Sequence, residues 1–176
     1  RLLQTVQVAI ADTVARAARS LGLQTGPVHA ELRVNDRGPW ILEVAGRSIG
    51  GLCSQTLRFG IDGSLEELIV RQACGLPLDV TKREDLASGV MMIPIPEAGV
   101  LRGVAGVDVA EEVPRITGIE ITAKLNYSSS PLPEGDSYLG FIFAKGRRPE
   151  EVEAALREAH AKLHFDIAPE FTLFGS

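Results

Sequence analysis

His29-Ala-Glu-Leu-Arg-Val-Asn-Asp-Arg-Gly-Pro-Trp-Ile-Leu-Glu-Val-Ala-Gly-Arg47 reads as a β-hairpin. Its turn, Asn35-Asp36-Arg37-Gly38, is built from residues that tolerate tight or left-handed backbone, and side chains alternate with period two on both sides. Folding the stretch about Arg37 sets Arg33 against Ile41, Glu31 against Glu43 and His29 against Ala45. Ala30, Leu32, Val34, Leu42 and Val44 then share the opposite, apolar face. Directly opposed side chains have Cβ atoms about 4.5–5.5 Å apart, where like charges destabilise a sheet. A cation between Glu31 and Glu43 removes that conflict. Mg²⁺ suits the place, since it takes one or two carboxylates and completes its shell with water and phosphate oxygens. Arg47, on the same face, is positioned to meet a phosphate as a bidentate donor.

A second reading of the same residues stays open. Two glutamates on a solvated face, with Arg33 and Arg47 as ordinary ion-pair partners, would give the same pattern. The register carries the argument, because a slip of one residue moves a glutamate to the other face.

The chain has 176 residues, 45% hydrophobic and 23% charged, enough for one domain or two small ones with a real core. No apolar run reaches the roughly 18–20 residues that span a bilayer, and no leader pattern opens the chain. A formal net charge of −5 and few aromatics argue against nucleic acid as the main partner. Cys53 and Cys74 lack metal-ligand spacing and read as reduced thiols, Cys74 as part of the core.

Leu2, Leu3, Val6, Ile10, Val14, Ala17, Ala18 and Leu21 form a helical stripe that Gly22 ends. After the hairpin, Gly50 and Gly51 allow close approach of backbone to a ligand. Ser64-Leu-Glu-Glu67 fits a capping box, with a helix running from there to Gly75. The charged stretch Thr81–Asp85 reads as a connector, dividing the chain into 1–80 and 81–176. Beyond it, strands are expected at Gly89–Pro94, Val100–Val107, Ile116–Leu125 and Tyr138–Ala144. A solvated helix follows from Pro149 to about Leu163 with pairs Glu153/Arg157 and Glu158/Lys162, and a strand at His164–Ile167 closes the sheet. Ser128–Ser130 is a polar turn that could line an open site. The fold class is α+β, a helix–hairpin–helix part followed by a small antiparallel sheet with a helix.

Three ordered motifs carry a family resemblance: His29-x-Glu31, Glu43-Val-Ala-Gly-Arg47-Ser-Ile-Gly-Gly51, and Gly63-Ser-Leu-Glu-Glu-Leu-Ile followed by Ala73-Cys-Gly-Leu-Pro77. Together they resemble the ATP-grasp enzymes, in particular the carboxylate–amine ligases that include L-amino acid ligases. The match covers about the first 80 residues closely. Gly135-Asp-Ser-Tyr-Leu-Gly-Phe-Ile-Phe-Ala-Lys-Gly146 with the helix after it looks, more loosely, like the C-terminal subdomain of these ligases and of biotin-carboxylase relatives.

The resemblance implies that Glu31 and Glu43 hold Mg²⁺, or Mn²⁺, against the phosphates of ATP. It gives Arg47 to the transferred phosphate, and Gly50 and Gly51 to the loop beside the acyl substrate. His29 falls at the edge of the site, and Arg58 is a candidate for a substrate carboxylate. Such enzymes activate a carboxylate as an acyl phosphate that an amine then attacks, which asks the protein mainly to neutralise phosphoryl charge. Many relatives carry asparagine two residues after the second glutamate, where this chain has Ala45, which leaves a second metal ion in question. Their nucleotide-clamping lysine and adenine-contacting segment lie upstream of the hairpin. The expectation is therefore the C-terminal half of a cytoplasmic ligase, inactive by itself, acting as a homodimer on small-molecule carboxylate and amine substrates, with no nucleic-acid or membrane partner. The alternatives are a biotin-carboxylase or phosphoribosylglycinamide-synthetase type of enzyme, and a non-catalytic binding or oligomerisation module that retains the hairpin.

Overall fold

The computed structural model describes residues 2–60, 63–78 and 84–170. The chain divides into two compact units, Arg1–Glu84 and Asp85–Ser176. The connector expected at Thr81–Asp85 and the boundary at 80/81 fall largely outside the described residues.

In the first unit, helix α1 spans Gln4–Ser20. Leu2 and Leu3, expected in its apolar stripe, precede it and are exposed. Gly22 ends it with φ +75. The amide of Gly22 donates to the carbonyl of Arg19 (3.0 Å) and that of Leu23 to Ala18 (2.9 Å), the paired bonds of a Schellman motif. Ala18 is the buried residue of the helix, which packs along the second hairpin strand.

The hairpin strands are β1, His29–Asn35, and β2, Gly38–Ala45. Near its base the pairing is the expected one, with His29 opposite Ala45 and Glu31 opposite Glu43. Toward the tip it shifts by one: Leu32 pairs with Ile41, Arg33 with Trp40 and Asn35 with Gly38. Arg33 therefore faces Trp40, not Ile41. The cause is a loop shorter than expected, Asp36-Arg37 alone, closed by Gly38 at φ +113 and by the amide of Arg37 donating to Asn35 Oδ1 at 2.9 Å. A bulge at Leu42 absorbs the difference and leaves that residue 60% exposed rather than on the packed face. Ile41 takes its place opposite Leu32.

A 3₁₀ turn at Cys53–Thr56 leads into the short strands β3, Arg58–Phe59, and β4, Gly63–Ser64, which pair with each other. Helix α2, Leu65–Ala73, starts where Ser64 Oγ accepts the amide of Glu67 at 3.0 Å. The Glu67 carboxylate turns forward to Arg71 Nε (2.9 Å). A second Schellman motif ends the helix at Gly75, whose φ is +66, with Leu76 bonded to Arg71. Cys74, expected in the core, caps this helix and is exposed, whereas Cys53 is buried at 8% exposure. Burial pushes the Cys53 thiol above its ordinary pKa. Ellman's reagent at neutral pH should accordingly take up one thiol quickly, Cys74, and the second only as denaturant opens the first unit; equal rates for both would contradict the packing.

The second unit holds β5 (Ala87–Ile93), β6 (Gly99–Ala105), α3 (Val107–Glu111), β7 (Ile116–Ile121), β8 (Ser128–Ser129), β9 (Gly140–Gly146), α4 (Pro149–Lys162) and β10 (His164–Ala168). These strands form two antiparallel sheets rather than the expected one. One has the order β5-β9-β7 and the other β10-β6-β8, so the last strand pairs with β6 and does not extend the first sheet. Helix α4 packs on β5 and β9. Ile93, Leu101, Leu139 and Ile142 are fully buried at the centre, and Val152, Leu156 and Ala159 of α4 cover them. Each large apolar side chain so buried contributes about 1.5–3 kcal/mol. The expected Glu153–Arg157 pair forms at 2.7 Å, while Glu158 and Lys162 make no such pair. No described helix is long and apolar enough to cross a membrane.

Candidate functional site

The hairpin carries a row of charge. His29, Glu31 and Glu43 lie on the β1–β2 pair with Arg47 just beyond the end of β2, and the two carboxylates occupy directly opposed positions. His29 Nε2 lies 3.4 Å from Glu31 Oε1, and Arg47 Nη2 lies 3.6 Å from Glu43 Oε1. Each glutamate thus has one cationic or imidazole neighbour within 4 Å. Both remain largely solvent-facing, with side-chain exposures of 56% and 53%. At such exposure these pairs add little stability.

The bulge at Leu42 sits one residue before Glu43 and makes this geometry possible. Without it the two-residue turn would set Glu31 against Leu42, and the carboxylates would not face each other.

Arg47 connects the hairpin to the glycine loop. Its Nη1 donates to the carbonyl of Ser48 at 2.9 Å, and a side chain at position 50 would place its Cβ 3.8 Å from the same nitrogen. Gly51 follows at φ +62, a conformation that favours glycine. The loop then enters the 3₁₀ turn, where Ser54 is buried. The Ser54 hydroxyl holds the Glu66 carboxyl below the usual carboxylate range, helped by the backbone amide of Glu66 and, to a smaller degree, by Arg58. Arg58 itself lies in β3 opposite Ser64. Its charge bears on Glu66 at the start of α2, and this contact between the loop and α2 was not evident from sequence.

Among the described residues no three His, Cys, Asp or Glu side chains gather into a metal cage. Glu31 and Glu43 offer hard oxygen donors in a pair. That set fits a cation which takes most of its ligands from water and phosphate, and it does not fit a closed structural site such as that of zinc.

Hairpin, glycine loop and capped helix, followed by a sheet-and-helix unit, match the C-terminal part of ATP-grasp enzymes. Residues 1–56 match the ATP-grasp domain, and residues 91–168 match the L-amino acid ligase C-terminal domain 2. The chain resembles the ATP-grasp ligases, and its second part resembles the C-terminal architecture of the L-amino acid ligases. Among solved structures it resembles L-amino acid ligase from Bacillus licheniformis, with a TM-score of 0.77, 25% identity, and coverage of 96% of this chain and 42% of that one. Phosphoribosylglycinamide synthetase from Anaerococcus prevotii shares the fold at TM-score 0.76 and 16% identity, over 95% of this chain and 43% of that one. N5-carboxyaminoimidazole ribonucleotide synthetase from Thermotoga maritima shares it at TM-score 0.69 and 15% identity, over 96% and 44%. A curated relative, the uncharacterized protein y4rH of Sinorhizobium fredii, is 23% identical over 161 residues. That alignment covers 90% of this chain and 33% of y4rH. The chain therefore spans between a third and a half of the length of these proteins.

Proposed function

We propose that this chain is part of an ATP-dependent ligase that activates a carboxylate as its acyl phosphate and joins it to an amine. The observation that carries the reading is the directly opposed Glu31/Glu43 pair, flanked by His29 and Arg47, on the hairpin of a chain with ATP-grasp and L-amino acid ligase domains.

In this reading Glu31 and Glu43 hold Mg²⁺, with Mn²⁺ as a substitute, beside the phosphates of ATP. The ion when bound neutralises charge on the phosphoryl group in transit. His29 steadies Glu31. Arg47 exchanges its long 3.6 Å contact with Glu43 for the transferred phosphoryl group or the acyl phosphate, as a guanidinium fork matched to phosphate. Gly50 and Gly51 leave room for the acyl substrate beside that guanidinium, and the Ser54–Glu66 contact braces the loop against α2. Ala45 offers no metal ligand, so the side chains that would hold the ion are Glu31 and Glu43 alone. Arg58 serves α2 through Glu66 in this scheme, in place of the substrate-binding role considered from sequence. A cytoplasmic setting and small-molecule substrates follow from the reaction class.

The matched L-amino acid ligase domain at residues 91–168 favours an amino acid as acceptor over the acceptors of the other two enzymes named above. The test is ADP release by the longer protein with paired amino acids, Mg²⁺ and ATP. Release that requires both a carboxylate and an amine partner is the expected result. ADP release indifferent to the amine, or none with any amino-acid pair, would overturn the reading.

A further inference from the structure

Arg33 stands on the carboxylate face of the hairpin. It follows Glu31 by two residues along β1, and period-two alternation gives both positions the same face. That step toward the tip is about 7 Å. Its partner across the ladder is Trp40. The sequence allows Arg33 an ordinary ion-pair role beside the glutamates, and the structure does not give it one. Glu31 takes His29 and Glu43 takes Arg47, while Arg33 makes no hydrogen bond or ion pair among the described residues. The other guanidinium at the tip is engaged. That of Arg37 lies over the Trp40 ring, 5.0 Å from its centroid, and Trp40 Nε1 donates to Asn35 Oδ1 at 3.1 Å.

An unpaired surface arginine by itself signifies little, because water satisfies it. The order of charge along this face gives it meaning. Arg47 lies just beyond the end of β2, at the glycine loop; the carboxylate pair comes next; Arg33 is one step further, toward the tip. A divalent cation on the two carboxylates cancels their charge and leaves an arginine position on each side of it. A single anion lying across the metal from base to tip can satisfy both. A triphosphate chain has that form, with the group to be transferred at one end and the phosphates that stay with the nucleoside at the other.

We propose that Arg33 binds the phosphates that ATP keeps when it becomes ADP, on the tip side of the metal, while Arg47 takes the transferred one. The inference rests on the reading of Glu31 and Glu43 as holders of a metal–ATP complex. It gives the nucleotide a direction on the hairpin, terminal phosphate toward the glycine loop and nucleoside toward the tip. The phosphates at Arg33 are the same in ATP, in the transition state and in ADP. Arg33 therefore supplies uniform binding, which lowers KM without raising kcat.

The test is calorimetric titration of the longer protein with MgADP, without carboxylate or amine, beside steady-state kinetics with ATP. Arg33→Gln should weaken MgADP about tenfold and raise KM for ATP by about the same factor, with kcat within about twofold of the parent. Arg33→Lys keeps the charge and should recover part of the loss. Arg37→Gln removes the cation over Trp40 and should leave MgADP affinity unchanged, which separates a lost contact from a loosened tip. MgADP affinity unaltered by Arg33→Gln, or lowered equally by Arg37→Gln, would overturn the proposal. So would a fall in kcat at unchanged KM, which puts Arg33 on the transferred group. A parent protein that binds no MgADP overturns both this assignment and the ATP reading. Turnover that needs no amine, with the tenfold MgADP effect intact, overturns the ligase reading and supports this assignment.

Discussion

Replacing Glu43 by glutamine in the longer protein should lower amine-dependent ADP release by about two to three orders of magnitude, with thermal unfolding moved by no more than about a degree or two. The expectation comes from what the substitution removes and what it leaves. Glutamine keeps the size and the strand pairing, and Glu43 is half exposed with only a 3.6 Å contact to Arg47, so little stability depends on its charge. The opposed Glu31 carboxylate gains if anything, because a like charge across the strand pair has gone. A purely structural role for the pair thus predicts unchanged or slightly increased stability and unchanged turnover. A metal-holding role predicts the same stability and collapsed turnover. Raising Mg²⁺ should recover part of the lost rate if the remaining carboxylate still binds the ion, giving a second readout that a positioning role through Arg47 alone would not move. Turnover within twofold of the parent protein would remove Glu43 from the site.

How much of this site is visible in the sequence depends on how local each piece is. The glutamate pairing follows from alternation about the turn, and the helix ends at Gly22 and Gly75 follow from residues that tolerate positive φ. The bulge at Leu42 does not announce itself. An apolar residue between Ile41 and Glu43 fits an alternating strand equally well, and only the two-residue turn forces it out of register. Two compensating departures, a shorter loop and a bulge, give the same glutamate pairing that the simpler register predicts. In the second unit the strands are readable except β8, Ser128–Ser129, which reads as a polar turn and becomes a strand only by pairing with Gly99 and Val100, and the partners of the strands are not readable. Antiparallel pairing of His164–Ala168 with Gly99–Ala105 joins segments far apart in the chain, which periodicity cannot address. A cavity of about 410 Å³ in this unit has the same character: Ser128 and Ser129 stand out as a polar turn, yet the floor beneath them comes from three separate strands and loops. Helix α3 was hidden for a local reason. Val100–Val107 reads as one strand, and the break inside it is the backbone of Gly106.

That glycine is also where the fold of the second unit should be most sensitive to one methyl group. Gly106 has φ +81, and a Cβ built there would strike the carbonyl of Lys162 at the end of α4. Its own carbonyl accepts the amide of Ala110 at 2.9 Å, starting α3, and Ala110 and Ala159 are both fully buried among the core residues. Gly106→Ala should destabilise the second unit by about 2–5 kcal/mol. Left-handed backbone on a non-glycine residue costs about 1–2 kcal/mol. Displacing a packed helix end adds typically 1–3 kcal/mol. Against a total stability of about 5–15 kcal/mol for a small domain, that shift is large. Gly118→Ala provides the control within the same unit, because its φ is not positive and its Cβ would meet nothing within 4 Å. There the loss of freedom in the unfolded chain should leave stability level or raise it by about 0.4–1 kcal/mol. Urea unfolding followed at a probe in the second unit, such as Tyr127 or Tyr138 fluorescence, separates the two. If the two alanine variants unfold at the same midpoint, the close approach of α3 to the end of α4 is not what holds this unit together.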